Sequence, residues 1–290
     1  MTMTRTEVET SWGRIPVRRG GAGPAVLLVH GLLVDGGLWD EVAGRLIAAG
    51  HEVVVPDLPL GAHSYPTAAG ADLSPRGIAR LVDALARDLG LDGATLVGND
   101  TGGAICQLVA AERPPWLAGL ALTPCDAYEN FLPPAFRPLQ VLARRAPRVL
   151  VALVQPLRLR AIRHSPLGFG WLSKRGVGDE RAERWTRPFL DLPGTRRDVV
   201  QTLLAIDSAD TIAAAGRLGQ FDRPAAIAWA DGDRFFPRRL AERLAGDIPG
   251  ATLTRIDDAY AFTPIDQPEA TVELITGVAR RAAAMESRAA

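Results

Sequence analysis

Cysteine is scarce. Cys106 and Cys125 are the only two in 290 residues, too few for a disulfide framework or a thiolate metal cluster, and they suit the reduced cytoplasm. Lysine is scarcer, since Lys174 stands alone among arginines, a bias without functional weight. Neither sign of charge dominates, because Lys+Arg and Asp+Glu both number 33. That balance argues against nucleic acid and against an anionic membrane as partners. Long apolar runs are missing as well. The first 17 residues have no apolar core of an export signal, and residues 149–154, the most apolar stretch, are far too short to cross a bilayer. A cytoplasmic protein with no membrane partner is expected. Histidine is limited to His30, His51, His63 and His164, so none follows residue 164.

What is present is a globular composition, 47% hydrophobic and 23% charged, long enough to bury a sizeable core. Short β-prone runs at 8–12, 15–19 and 25–29 are divided by Gly13 and by Gly20, Gly21 and Gly23. A helix over 39–49 stops at Gly50, and 52–56 (EVVVP) reads as a strand covered on both faces. Ser74 followed by Pro75 marks a helix start, with Ile78, Leu81, Val82, Leu85 and Leu89 at helical spacing up to Gly90. Strands at 94–97 and 117–122 bracket a helix at 103–112, continuing a βαβ rhythm that implies a mostly parallel sheet with helices on both faces. Between 126 and 220 the rhythm is lost among prolines and helical patches; strands at 225–230 and 252–256 and helices at 238–245 and 268–283 restore it. The chain therefore reads as a core of residues 1–125 and 221–290 with a helical cap inserted at 126–220.

Residues 98–103 (Gly-Asn-Asp-Thr-Gly-Gly) join a buried strand to a helix. Small residues around one polar side chain are what a strained strand-to-helix turn requires, and such a turn lifts its central side chain above the sheet's carboxyl edge. Asp100 occupies that position. The plainer reading is an N-capping aspartate in an ordinary turn.

With His30-Gly31 after the third strand, the turn at 57–61 (Asp-Leu-Pro-Leu-Gly) and the stretch 229–237 around Asp233, the chain resembles the α/β-hydrolase superfamily over nearly its whole length. The resemblance implies an eight-stranded, mostly parallel sheet with a cap over the active site. It also implies Asp233 as the acid that orients a histidine, and backbone N–H groups of Leu32 and Thr101 as the oxyanion hole. An aspartate in place of serine at the elbow implies the haloalkane dehalogenase and epoxide hydrolase branch. Its carboxylate opens an alkyl halide or epoxide to an enzyme ester, which water then hydrolyses.

This chain departs from that branch in three places. Thr101 stands where dehalogenases usually carry a halide-holding tryptophan, and the cap contains only Tyr128, at its edge. In the loop where the family's histidine belongs, the position falls on or beside Ala261. His63, in a loop at the carboxyl edge, is then the candidate base, with a loop-ordering role as its alternative. His30 reads mainly as a support of the oxyanion loop, His51 as solvated and His164 as a helix-end residue of the cap. His30, Trp171, Trp185, Tyr260 and Ala261 are the candidate pocket residues, although lid aromatics more often simply pack the lid. No residue set has metal-ligand spacing, and the glycines at 20–23 precede a strand, so they form no dinucleotide loop.

Three readings follow. The first is a cofactor-independent enzyme acting on a small apolar ester, epoxide or alkyl halide, with Asp100 as nucleophile. The second is a lyase, isomerase or cyclase in which Asp100 exchanges a proton and the oxyanion hole holds an enolate. The third is a small-molecule binding protein without turnover. A monomer or a homodimer is compatible with each.

Overall fold

A computed structural model describes residues 3–289. Its eight strands are β1 (Thr4–Thr10), β2 (Gly13–Gly20), β3 (Ala25–Val29), β4 (Glu52–Pro56), β5 (Ala94–Asp100), β6 (Leu117–Cys125), β7 (Ala225–Ala230) and β8 (Thr252–Ile256). They form one sheet in the order β1-β2-β4-β3-β5-β6-β7-β8. β1 and β2 form a hairpin, β2 is antiparallel to β4, and every later pairing is parallel. The first strand lies earlier than the pattern at 8–12 implied, because Gly13, at φ 106°, turns the chain there.

The core helices are α1 (Asp40–Ala48), α2 (Pro75–Asp88) and α3 (Thr101–Glu112). Then come α4 (Arg137–Arg145), α5 (Pro147–Val154), α6 (Arg160–Arg163), α7 (Asp179–Asp191), α8 (Pro193–Ala205) and α9 (Ser208–Leu218) in the insertion. The chain closes with α10 (Arg238–Asp247), α11 (Thr263–Asp266) and α12 (Pro268–Ala289). α2 begins as its sequence implied: Ser74 Oγ accepts from Gly77 N at 3.0 Å, with Pro75 in the first turn. Ile78, Leu81, Val82 and Leu85 are fully buried on one face, each worth at most about 1.5–3 kcal/mol of burial. α3 is buried nearly all round, enclosed by β5, β6, α2 and α9. α9 thus packs on the core layer although it closes the 126–220 insertion.

The strand order reverses direction about β3, with β4 on one side and β5 on the other, and the carboxyl ends of strands at such a reversal are where α/β sheets place their ligands. The turn after β3 and the end of β5 meet at that edge. A second apolar cluster joins Phe131, Leu132, Ala143, Leu150, Phe189 and Val199 of the 126–220 insertion to Ala104 of α3, with Leu32 and Leu33 packed against it. The cap is also tied down by polar contacts. Asp35 accepts from Gly37 N at 2.7 Å, from Trp185 Nε1 at 2.7 Å and from Arg184 Nε at 2.8 Å.

Candidate active site

Asp100 closes β5 with φ 55° and ψ −134°, a backbone region costly for any side chain. Neighbouring glycines make the strain tolerable by close approach. A Cβ on Gly31 would collide with the Asp100 carboxylate, and one on Gly102 would lie 2.5 Å from the carbonyl oxygens of Val29 and His30. The turn after β3 is thereby pressed against the elbow.

Burial pushes the Asp100 carboxyl up to about 7; the N–H groups of Thr101 and Leu32 oppose the rise, and the Asp233 charge adds to it. Leu32 and Thr101 therefore present their backbone donors to Asp100. Asp233 is also pushed up to about 7 by burial, against the N–H groups of Phe235 and Phe236. Those groups donate to Oδ1 at 2.7 and 3.0 Å. Oδ2 of Asp233 is enclosed and unpartnered among the described residues.

A third carboxyl belongs to this group and was not singled out in the sequence. Asp126 is fully buried just beyond β6. Its Oδ2 accepts from Thr101 Oγ1 at 3.1 Å, and its Oδ1 has no partner among the described residues. Burial, then the charges of Asp100 and Asp233, drive it well above the carboxylate range. The signal that would have found it is positional: β6 neighbours β5, so the residue beyond its end stands at the same sheet edge as the elbow.

Ala261 is fully buried. Asn99 Nδ2 donates to its carbonyl at 2.8 Å, as well as to Thr123 Oγ1 at 2.9 Å and Pro124 O at 3.1 Å. The 259–261 loop is thus clamped to the residue preceding Asp100, and a Cβ on Gly232 would meet Ala259 O and the Tyr260 ring. A methyl group stands in the loop where a histidine was expected.

The histidines are engaged elsewhere. His63, the expected base, is buried with Nδ1 accepting from Gly61 N at 3.2 Å and Nε2 beside Asp198 Oδ2 at 3.2 Å. That pairing makes Nε2 the protonated nitrogen and places the ring in the joint between core and cap. Asp198 also accepts from Thr67 N at 2.8 Å. His30 accepts from Leu58 N at Nε2 and donates from Nδ1 to Gly31 O, both at 2.9 Å; burial keeps it neutral. It braces the loop before Leu32 and has no ring nitrogen left for a substrate. His51 lies against Pro24 O at 3.3 Å, and His164 pairs with Asp179 in the cap at 2.6 Å. No histidine hydrogen-bonds Asp100 or Asp233 among the described residues.

The aromatic candidates divide. Trp185 is buried edge-on between Phe169 and Phe262. Trp171 is 40% exposed and lies with Tyr260 against the Arg234 guanidinium, at 5.0 and 5.6 Å from the ring centroids. No metal-holding group of side chains exists among the described residues.

Residues 24–268 match the alpha/beta hydrolase fold family. Among curated relatives, 2-hydroxy-6-oxo-6-phenylhexa-2,4-dienoate hydrolase of Burkholderia cepacia is 27% identical over 246 residues, covering 83% of this chain and 82% of its own. The polyketide synthase ThaQ of Burkholderia thailandensis is 28% identical over 264 residues, 89% of this chain; the chain spans only 12% of that protein's length. Among solved structures, haloalkane dehalogenase DbeA of Bradyrhizobium elkani superposes with a TM-score of 0.77 at 20% identity, covering 98% of this chain and 99% of that one.

Proposed function

The chain belongs to the alpha/beta hydrolase fold family, and from that premise we propose that it is a cofactor-independent enzyme in which Asp100 attacks a small apolar organic molecule. The observation that carries this reading is the Asp100 elbow, strained and supplied with the N–H groups of Leu32 and Thr101. In its ionised form Asp100 attacks an electrophilic carbon, the carbon–halogen or carbon–oxygen bond breaks, and the departing halide or alkoxide carries the electron pair away. An alkoxide must be protonated, and Asp126 or Asp233 in its neutral form can supply that proton. The resulting ester carbonyl lies by the two N–H donors, which suit the oxyanion formed when water attacks it.

That second step needs a proton acceptor for water. The unpartnered Asp233 Oδ2 is the group available for it, because both nitrogens of His63 and of His30 are already engaged. A carboxylate is a weaker base than imidazole, so slow release of the ester is expected.

A second reading draws on a specific observation. An acid pushed to about 7 among two other carboxyls is matched to proton exchange at neutral pH. Asp100 would then serve a lyase, isomerase or cyclase.

Incubation with alkyl bromides, epoxides and esters in ¹⁸O-water separates these. A mass increase on the intact protein that vanishes in Asp100→Ala, with ¹⁸O entering the Asp100 carboxyl in the first turnover and the product only in later ones, supports the nucleophile. Turnover that leaves ¹⁸O in neither the protein nor the product moves the assignment to proton transfer. Turnover unchanged in a folded Asp100→Ala protein removes Asp100 from the reaction.

A further inference from the structure

Zero net charge conceals a segregation. Residues 130–178 contain nine basic residues and no acidic one. Several of these are matched by carboxylates from other segments: Arg158 by Asp191, Arg160 by Asp179, and Lys174 by Asp258. Arg163 is buried. Arg137, Arg144, Arg145 and Arg148 are exposed and have no ion-pair partner among the described residues.

Those arginines lie on α4 and α5, whose outer face also exposes aliphatic side chains. Val141 is 51% exposed, Val149 52% and Leu153 59%. Leu159, between α5 and α6, and Leu167, beyond α6, are 62% and 80% exposed. The inner face of the same helices, through Ala143 and Leu150, belongs to the apolar cluster that reaches Ala104 and Leu32. Both helices are therefore amphipathic twice over: apolar inward, and mixed aliphatic and cationic outward.

We infer that the outer face of α4 and α5 docks on an anionic lipid bilayer. Charge complementarity selects this occupant. A second copy meeting this face across a two-fold axis would set unpaired arginines against unpaired arginines. A protein partner is usually anchored by aromatic side chains, which this face lacks. Aliphatic side chains interspersed with arginines match the headgroup boundary, where the apolar groups enter the acyl region and the guanidinium groups meet phosphates. Zero net charge and the lack of a spanning segment speak against a membrane partner only when the whole chain is averaged. No helix among the described residues is long and apolar enough to cross a membrane, but lying on a surface requires neither. If Asp100 acts on apolar molecules, as proposed above, docking places the cap against the phase where such molecules concentrate. Vesicle binding itself does not depend on that reading.

The test is sedimentation of the full chain with phosphatidylcholine vesicles and with vesicles that also contain phosphatidylglycerol. Binding is expected only to the second kind, weakening as salt rises. Arg144→Glu, Arg145→Glu and Arg148→Glu together are expected to reduce partitioning by at least about tenfold, and Val149→Ser with Leu153→Ser to reduce it severalfold. The control variant Arg239→Glu, Arg280→Glu, Arg288→Glu changes net charge equally on other exposed surfaces and should keep binding. Equal binding to both vesicle types, no binding to either, or equal loss in the control variant overturns the proposal. Self-association without lipid that the α4–α5 reversal abolishes would assign the face to a second copy and overturn it too.

Discussion

Thr101 serves two carboxyls at once: its hydroxyl donates to Asp126 Oδ2 at 3.1 Å, while its backbone N–H faces the carboxyl of Asp100. The residue after the elbow thus links the Asp100 carboxyl to a second acid that is fully buried. Asp233 contributes a third, and burial raises all three above the usual carboxylate range.

The first prediction concerns stability against pH. Asp100 and Asp233 stand at about 7 in the folded state against 3.8 for an ordinary carboxyl. The folded protein therefore binds more protons than the unfolded chain between those values, and stability falls as pH rises through about 4 to 7. Asp233→Asn removes one ionisable group from that exchange. It is expected to raise stability at pH 8 by about 1–2 kcal/mol, discounted because the carboxyls share protons and Asp233 keeps some accessible surface, with little change at pH 4. Urea denaturation at the two pH values measures this; equal effects at both would refute it.

The second follows from the methyl group at Ala261. Ala261→His places an imidazole in the loop clamped between Asn99 and the Gly232 turn. Because the position is fully buried, overpacking should cost about 1–3 kcal/mol. Release of an Asp100 ester should nonetheless accelerate about 10²-fold or more, read as faster loss of the mass adduct. An adduct lifetime unchanged in a folded variant would count against the ester route.

The third separates support from chemistry at His63. Asp198→Ala strands the buried His63 Nε2 and the Thr67 N–H, and should cost about 3 kcal/mol or more. His63→Gln should destabilise less, while leaving single-turnover chemistry at Asp100 within a few-fold of wild type. A loss of chemistry beyond about 10²-fold in folded His63→Gln would restore His63 as the base.

The fourth concerns the seam between cap and core. Asp266 accepts from Ser173 Oγ at 2.7 Å, Lys174 N at 2.9 Å, Arg175 N at 3.0 Å and Tyr260 N at 2.9 Å. Asp266→Ala leaves these donors without their acceptor and should cost about 2–4 kcal/mol. Limited proteolysis should show earlier cleavage within 171–178, and an unchanged cleavage pattern would contradict that role.

Elements whose causes are local were readable in the chain. The 98–103 turn needs glycines within a few residues of Asp100, and α2 carries its start at Ser74-Pro75 and its stop at Gly90, so adjacent letters suffice. The helical insertion between β6 and β7 was readable only as a loss of strand rhythm, because helices that pack on one another across α4, α5, α7 and α8 need no regular alternation.

What depended on distant partners was not readable. Asp126 joins Asp100 because β6 lies next to β5, and His63 meets a carboxylate 135 residues away. The arginines on α4 and α5 were visible as letters, yet only the packing of Ala143 and Leu150 inward shows that the arginine face is turned out. The sequence by itself determined the strained elbow, the strand-helix alternation and the lack of any histidine after residue 164, since each follows from short-range backbone demands or composition. The tertiary structure decided which acids are buried near one another, where each histidine spends its hydrogen bonds and which charges stay unpaired among the described residues. Those outcomes depend on through-space distance and burial, which chain order does not encode directly.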